Sequence, residues 1–169
     1  MINQDQLTEA MTWLGQQPDT LFLGQGVGCP GTRLSASFEG VPAEKKLEMP
    51  VAEALQLGIS IGLSLEGFVP VSVFPRLNFL LCAMDMLVLH LDKLPVYSAY
   101  RPKVIIRTAV GNKAPLDAGP QHTGDYFEAL LMMLDTVSPR RTGCFGSEDP
   151  LKVYQDAWAR SGSTLVVEG

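Results

Sequence analysis

Residues 50–74 read PVAEALQLGISIGLSLEGFVPVSVF, and this stretch predicts a helix followed by a buried strand. Proline suits the first helical turn, where a missing N–H has no partner to lose, and Glu53 lies near the positive end of the helix dipole. Gly67 ends the helical pattern. Residues 68–74 are apolar and rich in valine, which is typical of a strand covered on both faces. The pair therefore predicts one unit of a parallel α/β sheet.

The alternation of helix and strand continues on both sides of this unit. Further helices are predicted over residues 5–17, 78–94, 125–134 and 149–160. Further strands are predicted over residues 20–24, 102–108 and 163–167. This order favours a single α/β domain of three layers, with an open, mostly parallel sheet and helices on both faces. Ligands bind such sheets in the loops that follow the strands, here residues 25–32, 74–78 and 109–121.

The composition is that of a folded protein with no nucleic-acid partner. The chain has 169 residues, 46% of them hydrophobic and 18% charged, which is a globular balance for one ordinary domain. The net charge of −5 differs from the basic footprint of a DNA- or RNA-binding protein. Charged residues and proline interrupt the two most apolar stretches, so we expect no membrane-spanning helix.

The cysteines and histidines predict neither a disulfide framework nor a metal site within this chain. Cys29, Cys82 and Cys144 are odd in number and lack a C-x-x-C spacing, which favours a reduced, cytoplasmic setting. The first six residues have no signal-peptide pattern. Two histidines without an acidic or cysteine cluster cannot form a three-ligand site. His90 is expected to pack within an apolar helix, whereas His122 follows a loop after a strand.

The usual motifs of self-contained enzymes are missing. The glycines at 24, 26 and 28 have the wrong spacing for a dinucleotide-binding loop, and no lysine follows a glycine-rich loop as in a P-loop. The G-x-S-x-G motif of serine hydrolases is also absent.

Two helices carry features of a packed interface. The predicted helix over residues 78–94 is apolar nearly all round. Its polar positions at seven-residue spacing are Asn78, Asp85 and Asp92. Ala54, Gly58 and Gly62 form a row of small residues on the preceding helix, which lets another helix approach closely. Packing within the domain and an obligate subunit interface both explain these features.

The sequence from Leu47 to Val71 resembles the pyrimidine-binding domain of thiamine-diphosphate enzymes. The family motif reads T-P-[IL]-[AS]-E, followed by G-x-A-x-G-x-A-x-x-G-x-[RK]-P-[IV]. The chain looks closest to the N-terminal half of the 2-oxoacid dehydrogenase E1 β subunit, and more distantly to the central domain of transketolase. Residues 78–85 resemble the segment F-x-x-F-x-x-x-A-x-D-Q, and residues 119–127 resemble G-P-x-H-S with its aromatic pair. The resemblance implies a single transketolase-like pyrimidine-binding domain over residues 1–169.

The resemblance also implies roles for four residues. Glu53 matches the glutamate that hydrogen-bonds the N1′ atom of the aminopyrimidine and favours the tautomer that removes the thiazolium C2 proton. Phe79 matches the aromatic residue that stacks on the pyrimidine ring. Val51 matches a residue lining the same cleft. His122 matches a histidine that faces the substrate or the acyl intermediate.

The departures from the family imply a split enzyme. The chain lacks the G-D-G…N motif that binds Mg²⁺ and diphosphate, so a separate diphosphate-binding chain is expected to hold both. Gln25 stands where E1 β subunits have an acidic residue. The implied function is cleavage or transfer at a C–C bond of a 2-oxoacid or ketose, by a homo- or hetero-oligomer and never by this chain alone. The alternative is a non-catalytic regulatory or scaffolding relative that keeps the fold.

Overall fold

The computed structural model describes residues 4–111, 117–143 and 148–169, and within them it contains one six-stranded parallel sheet. The strands are β1 (Thr20–Gly24), β2 (Lys46–Glu48), β3 (Val69–Val73), β4 (Ile105–Ala109), β5 (Ser138–Thr142) and β6 (Thr164–Glu168). Their order across the sheet is β2-β1-β3-β4-β6-β5, and all five pairings are parallel. The predicted α/β class is confirmed.

Helices cover both faces of this sheet. They are α1 (Gln4–Gln16), α2 (Arg33–Ala36), α3 (Glu53–Leu65), α4 (Leu77–Leu80), α5 (Leu94–Tyr97), α6 (Phe127–Met133) and α7 (Pro150–Ala159). Neighbouring residues of one strand point to opposite faces, so Ile105 packs in the core beneath α1 and α7 while Ile106 packs beneath α3, α4 and α6. The three predicted layers are therefore present. No helix in the described ranges is long and apolar enough to cross a bilayer.

The chain reverses its direction of travel across the sheet between β1 and β3. From β1 it moves outward to β2, then returns through α3 to β3 on the other side of β1. The loops after β1 and β3 consequently leave the sheet in opposite directions and open a crevice at its carboxyl edge. In open α/β sheets this switch point is the preferred place for a ligand.

The predicted helix over residues 78–94 is wrong as a single regular helix. After α4 the chain forms a 3₁₀ turn at Leu81–Ala83 and a π-helix at Met86–Leu91, in which the Asp92 N–H donates to the Leu87 carbonyl at 2.9 Å. The polar positions at seven-residue spacing also differ in burial, because Asp85 is exposed whereas Asp92 is fully buried. The reason is tertiary: the Asp92 carboxylate accepts backbone N–H groups from the segment before β5.

Two further expectations need correction. Helix α3 begins at Glu53 and not at Pro50, because the Met49 N–H donates to the Gly24 carbonyl at 3.1 Å and keeps this segment extended beside β1. His90 is exposed, although it was expected to pack inside the domain. The predicted loop after β4 lies partly outside the described residues, as does Cys144. Cys29 and Cys82 are free and exposed.

Candidate functional site

Four polar or aromatic side chains follow the carboxyl ends of neighbouring strands. Gln25 comes directly after β1, and Glu53 begins the helix that follows β2. Phe79 lies in α4, six residues after the end of β3, and His122 lies in the connection after β4. Because β1, β3 and β4 are adjacent in the sheet, these residues share the edge that contains the switch point.

Glu53 is half-buried at the N-terminus of α3. The preceding residue, Ala52, gives no side-chain cap, so the first-turn N–H groups favour a carboxylate at this position. Gln25 donates a hydrogen bond from Nε2 to Glu53 Oε1 at 3.4 Å. Among the described residues, nothing else donates to the Glu53 carboxylate, so Oε2 is free to bind a ligand.

Gln56 fixes the helix that carries Glu53. Its side chain is buried on the inner face of α3, where Nε2 donates to Ser72 Oγ at 3.1 Å and to the Val73 carbonyl at 3.0 Å. Ser60 Oγ in turn donates to the Gln56 carbonyl at 2.9 Å. These bonds tie the first turn of α3 to β3. Gln56 could not be singled out from the sequence, since a single glutamine in an apolar helix carries no signal of its partner.

Phe79 and His122 are in contact, although 43 positions separate them along the chain. Their rings pack edge to face, with centroids 5.4 Å apart and planes at 66°. A close backbone approach holds His122 in place, because a Cβ atom at Gly111 would lie 1.9 Å from the His122 carbonyl oxygen. The structure thus brings together two of the residues that the sequence had singled out.

Two buried polar atoms beside this aromatic pair lack a partner among the described residues. They are Nδ1 of His122 and Oδ1 of Asn78, the neighbour of Phe79. The Asn78 amide makes a single long hydrogen bond, from Nδ2 to the hydroxyl of Tyr126 at 3.4 Å. Leaving a buried polar atom unpaired costs about 1–3 kcal/mol, so such atoms usually await a ligand, an ion or water.

Val51 lies at the entrance to α3, and its side chain is 77% exposed. Leu55, in the first turn of the helix, is 55% exposed. An apolar surface therefore adjoins Glu53 and faces outward in the isolated chain.

The loop after β1 binds a carboxylate of this chain. Glu48 Oε1 accepts the Gly26 N–H and Oε2 accepts the Gly28 N–H, both at 2.7 Å. Burial acts to raise the pKa of Glu48, but the backbone N–H groups outweigh it and lower the pKa below its ordinary value. A cleft of about 480 Å³ on this loop involves Cys29 and Phe38 and none of the four residues at the strand ends.

No metal centre accompanies the site in the described ranges, which contain no group of three or more His, Cys, Asp or Glu side chains suited to a metal ion. The arrangement offers one carboxylate, one aromatic face and two unsatisfied polar atoms. These groups together can bind a planar heterocycle: the polar atoms can pair with its ring nitrogens, and the aromatic side chain can pack against its face.

The α/β fold of this chain is similar to that of transketolases. The structure is similar to a split-gene transketolase solved as an inactive β4 tetramer, with a TM-score of 0.76 and 18% identity over 99% of this chain and 50% of that chain. It is also similar to the transketolase from Leishmania mexicana, with a TM-score of 0.68 and 16% identity over 98% of this chain and 24% of that one. The chain thus spans half of the first protein and a quarter of the second. No protein-family model and no curated protein sequence matches it.

Proposed function

We propose that residues 1–169 form the pyrimidine-binding subunit of a split thiamine-diphosphate enzyme that acts on a 2-oxoacid or a ketose. One observation carries the proposal. Glu53 and the Phe79–His122 pair lie in connections at the same carboxyl edge of a transketolase-like sheet, next to its switch point. These are the residues for which the sequence motifs imply contact with cofactor and substrate.

The residues present fit the pyrimidine half of the cofactor. Glu53 has a carboxylate oxygen without a partner among the described residues, and Phe79 offers an aromatic surface. Nδ1 of His122 also lacks a partner among those residues and is left for the substrate. When bound, thiamine diphosphate supplies an acidic ring carbon and an electron sink for C–C bond chemistry.

Each residue then has a defined task. Glu53 holds a proton at the ring nitrogen of the pyrimidine, where a carboxyl group can take and return it. Phe79 packs against the ring and excludes water, and Val51 lines the same cleft. His122 offers Nδ1 to an oxygen of the substrate. With His122 held between Phe79 and the backbone of Gly111, little entropy is lost on binding.

We assign Mg²⁺ and the diphosphate to a separate diphosphate-binding chain, because this sequence lacks the G-D-G…N motif. The exposed Val51 and Leu55 support this assignment, since a second chain docked over the site would remove their apolar surface from water. The active species is then an oligomer. The proposal includes the cytoplasmic setting expected from the sequence, and its support among the described residues is that Cys29 and Cys82 are free.

Affinity purification of this chain from its native host, followed by mass spectrometry of protein and cofactor, tests the proposal. We expect a stoichiometric partner that carries G-D-G…N, together with thiamine diphosphate and Mg²⁺. Recovery of a cofactor-free assembly, or of an already complete thiamine-diphosphate enzyme, contradicts the proposal and favours a regulatory or scaffolding subunit.

Substitution of Glu53 tests its assigned role in the reconstituted complex. Glu53→Ala should lower turnover by about 10²–10⁴, the range for loss of a positioned acid or base. Glu66→Ala is the matched control, because Glu66 is exposed at the opposite end of α3. Equal turnover of the two variants would show that Glu53 takes no part in the chemistry.

A further inference from the structure

The backbone on the N-terminal side of Gln25 is held by close packing. The Gly24 carbonyl accepts the Met49 N–H at 3.1 Å, which joins the ends of β1 and β2. Gly24 has φ +150°, and a Cβ atom there would lie 2.2 Å from the Val73 carbonyl oxygen at the end of β3. Only glycine allows this approach, so the position of the backbone immediately before Gln25 is fixed.

The backbone on the other side of Gln25 is held by a charge. Gly26 and Gly28 each donate an N–H to the Glu48 carboxylate at 2.7 Å, and Gly26 has φ +79°. The lowered pKa of Glu48 has the same origin, because these N–H groups stabilise the ionised form against the effect of burial. A chain of backbone N–H groups around one anion is a stable local structure.

Gln25 is the single residue between these two fixed points. Its side chain is directed toward α3, where Nε2 donates to Glu53 Oε1 at 3.4 Å. We propose that Glu48 is a positioning residue, which fixes the loop after β1 so that Gln25 orients the Glu53 carboxylate and leaves its second oxygen for the ligand. The ligand-binding role of Glu53 rests on the proposed function; the link from Glu48 through Gln25 rests on the contacts alone.

A carboxylate is the side chain that this loop requires. Its two oxygens can accept both N–H groups, whereas glutamine has one acceptor oxygen and an NH₂ group that would face a second donor. Glu48→Gln therefore removes at least one of the two contacts while keeping the size of the side chain. Glu44→Gln is the control, because Glu44 is exposed and lies four residues earlier.

The first experiment measures, by NMR on the full chain, the nuclear Overhauser contact between the Gln25 side-chain amide and Glu53. We expect this contact in the unaltered chain and in Glu44→Gln, and its loss in Glu48→Gln. Its absence from the unaltered chain, or its persistence in Glu48→Gln, overturns the proposal. Should Glu48→Gln not fold, hydrogen exchange in the unaltered chain decides: slow exchange of the Gly26 and Gly28 amides supports the proposal, and exchange at free-chain rates refutes it.

A double-mutant cycle on thiamine-diphosphate affinity, measured with the partner chain present, tests whether Glu48 acts through Gln25. Glu48→Gln should weaken binding by about threefold to tenfold, the range for one positioning hydrogen bond, but by less than about twofold when Gln25 is already alanine. Equal losses in both backgrounds would mean a merely structural role and overturn the proposal. If the complex binds no cofactor at all, the proposed function fails, and the NMR contact still decides the geometry.

Discussion

At the scale of single residues, the feature with the highest free-energy cost of burial is a charged side chain inside the core. Arg107 of β4 is 1% exposed, and its guanidinium donates to both carboxylate oxygens of Glu168 at 2.8 and 3.2 Å, and to Ser37 Oγ at 2.7 Å. The Tyr154 hydroxyl donates to Glu168 Oε1 at 2.6 Å, and the guanidinium carbon lies 4.9 Å from the centroid of the Phe38 ring. Burial and the neighbouring Glu168 charge raise the pKa of Tyr154 well above its ordinary value.

Removing one partner of the buried Arg107–Glu168 pair should lower the free energy of unfolding far more than removing one partner of an exposed ion pair. Arg107→Met leaves the Glu168 carboxylate buried without its cation, for which we expect a loss of about 3–5 kcal/mol in the free energy of unfolding. Arg140→Met is the control, because Arg140 is 3.8 Å from Glu148 with both side chains partly exposed, and such pairs contribute about 0–1 kcal/mol. Urea denaturation compares the two. Equal losses would show that the buried pair contributes no more than the exposed one.

The burial of Arg107 could not be predicted from the sequence. The strand that contains it was predicted, but a single arginine among apolar residues is usually interpreted as facing solvent. Its partner Glu168 is 61 positions away in another strand, and the hydroxyl of Ser37 is 70 positions away. Only the assembled sheet brings these groups together. The candidate site residues were singled out because a local motif carries them, and no local motif marks a long-range ion pair.

At the scale of elements, Asp92 joins the end of the π-helix to the segment that enters β5. Its buried carboxylate accepts the N–H groups of Asp135, Thr136 and Val137 at 3.0, 2.8 and 2.9 Å. Lys93 donates to the same carboxylate at 2.8 Å. Burial acts to raise the pKa of Asp92, but these donors outweigh it and lower the pKa below its ordinary value.

This arrangement predicts a pH dependence of stability. With a folded pKa below the unfolded value of about 3.9, Asp92 contributes stability fully above about pH 5, and this contribution is lost as pH falls through the folded pKa. Asp92→Asn should lower the free energy of unfolding at neutral pH by about 1.5–3 kcal/mol. In this variant the free energy of unfolding should also fall less steeply as the pH is lowered. The control is Asp85→Asn, seven residues earlier and exposed. If both variants keep the acid dependence of the unaltered chain, Asp92 is not its source.

The strands show which elements a sequence reveals. β1, β3, β4 and β6 lie inside the sheet and were predicted, because their apolar runs are buried on both faces. β2 and β5 form the two edges and were missed. β2 has three residues, two of them charged, and β5 has proline followed by two arginines. Charged residues and proline protect an edge strand from further pairing. The same residues interrupt the apolar pattern by which a strand is predicted from sequence.

At the scale of the whole molecule, the row of small residues on α3 divides into two parts. Gly58 faces the domain itself, where a Cβ atom would lie 3.3 Å from Met86 Cε. Gly62 is exposed, and a Cβ atom there would meet no atom of the described residues within 4 Å. Internal packing therefore accounts for Gly58, and Gly62 is the glycine at which a contact between chains can be tested.

Gly62→Ala separates the stability of the chain from its association with the proposed partner chain. In the isolated chain the added methyl group meets open space, and alanine favours a helix over glycine, so we expect unfolding to cost about 0.5–1 kcal/mol more. If the partner packs a helix closely on α3, the same methyl group overpacks that contact, which typically costs about 1–3 kcal/mol, and should weaken association at least about fivefold.

Gln6→Ala is the control, because Gln6 is exposed on α1, across the sheet, and should leave association unchanged. Denaturation of the isolated chain and a binding titration with the partner measure the two effects. A more stable Gly62→Ala chain with unchanged partner affinity would mean that this face of α3 stays in water in the complex, and the partner would then have to dock elsewhere around Glu53.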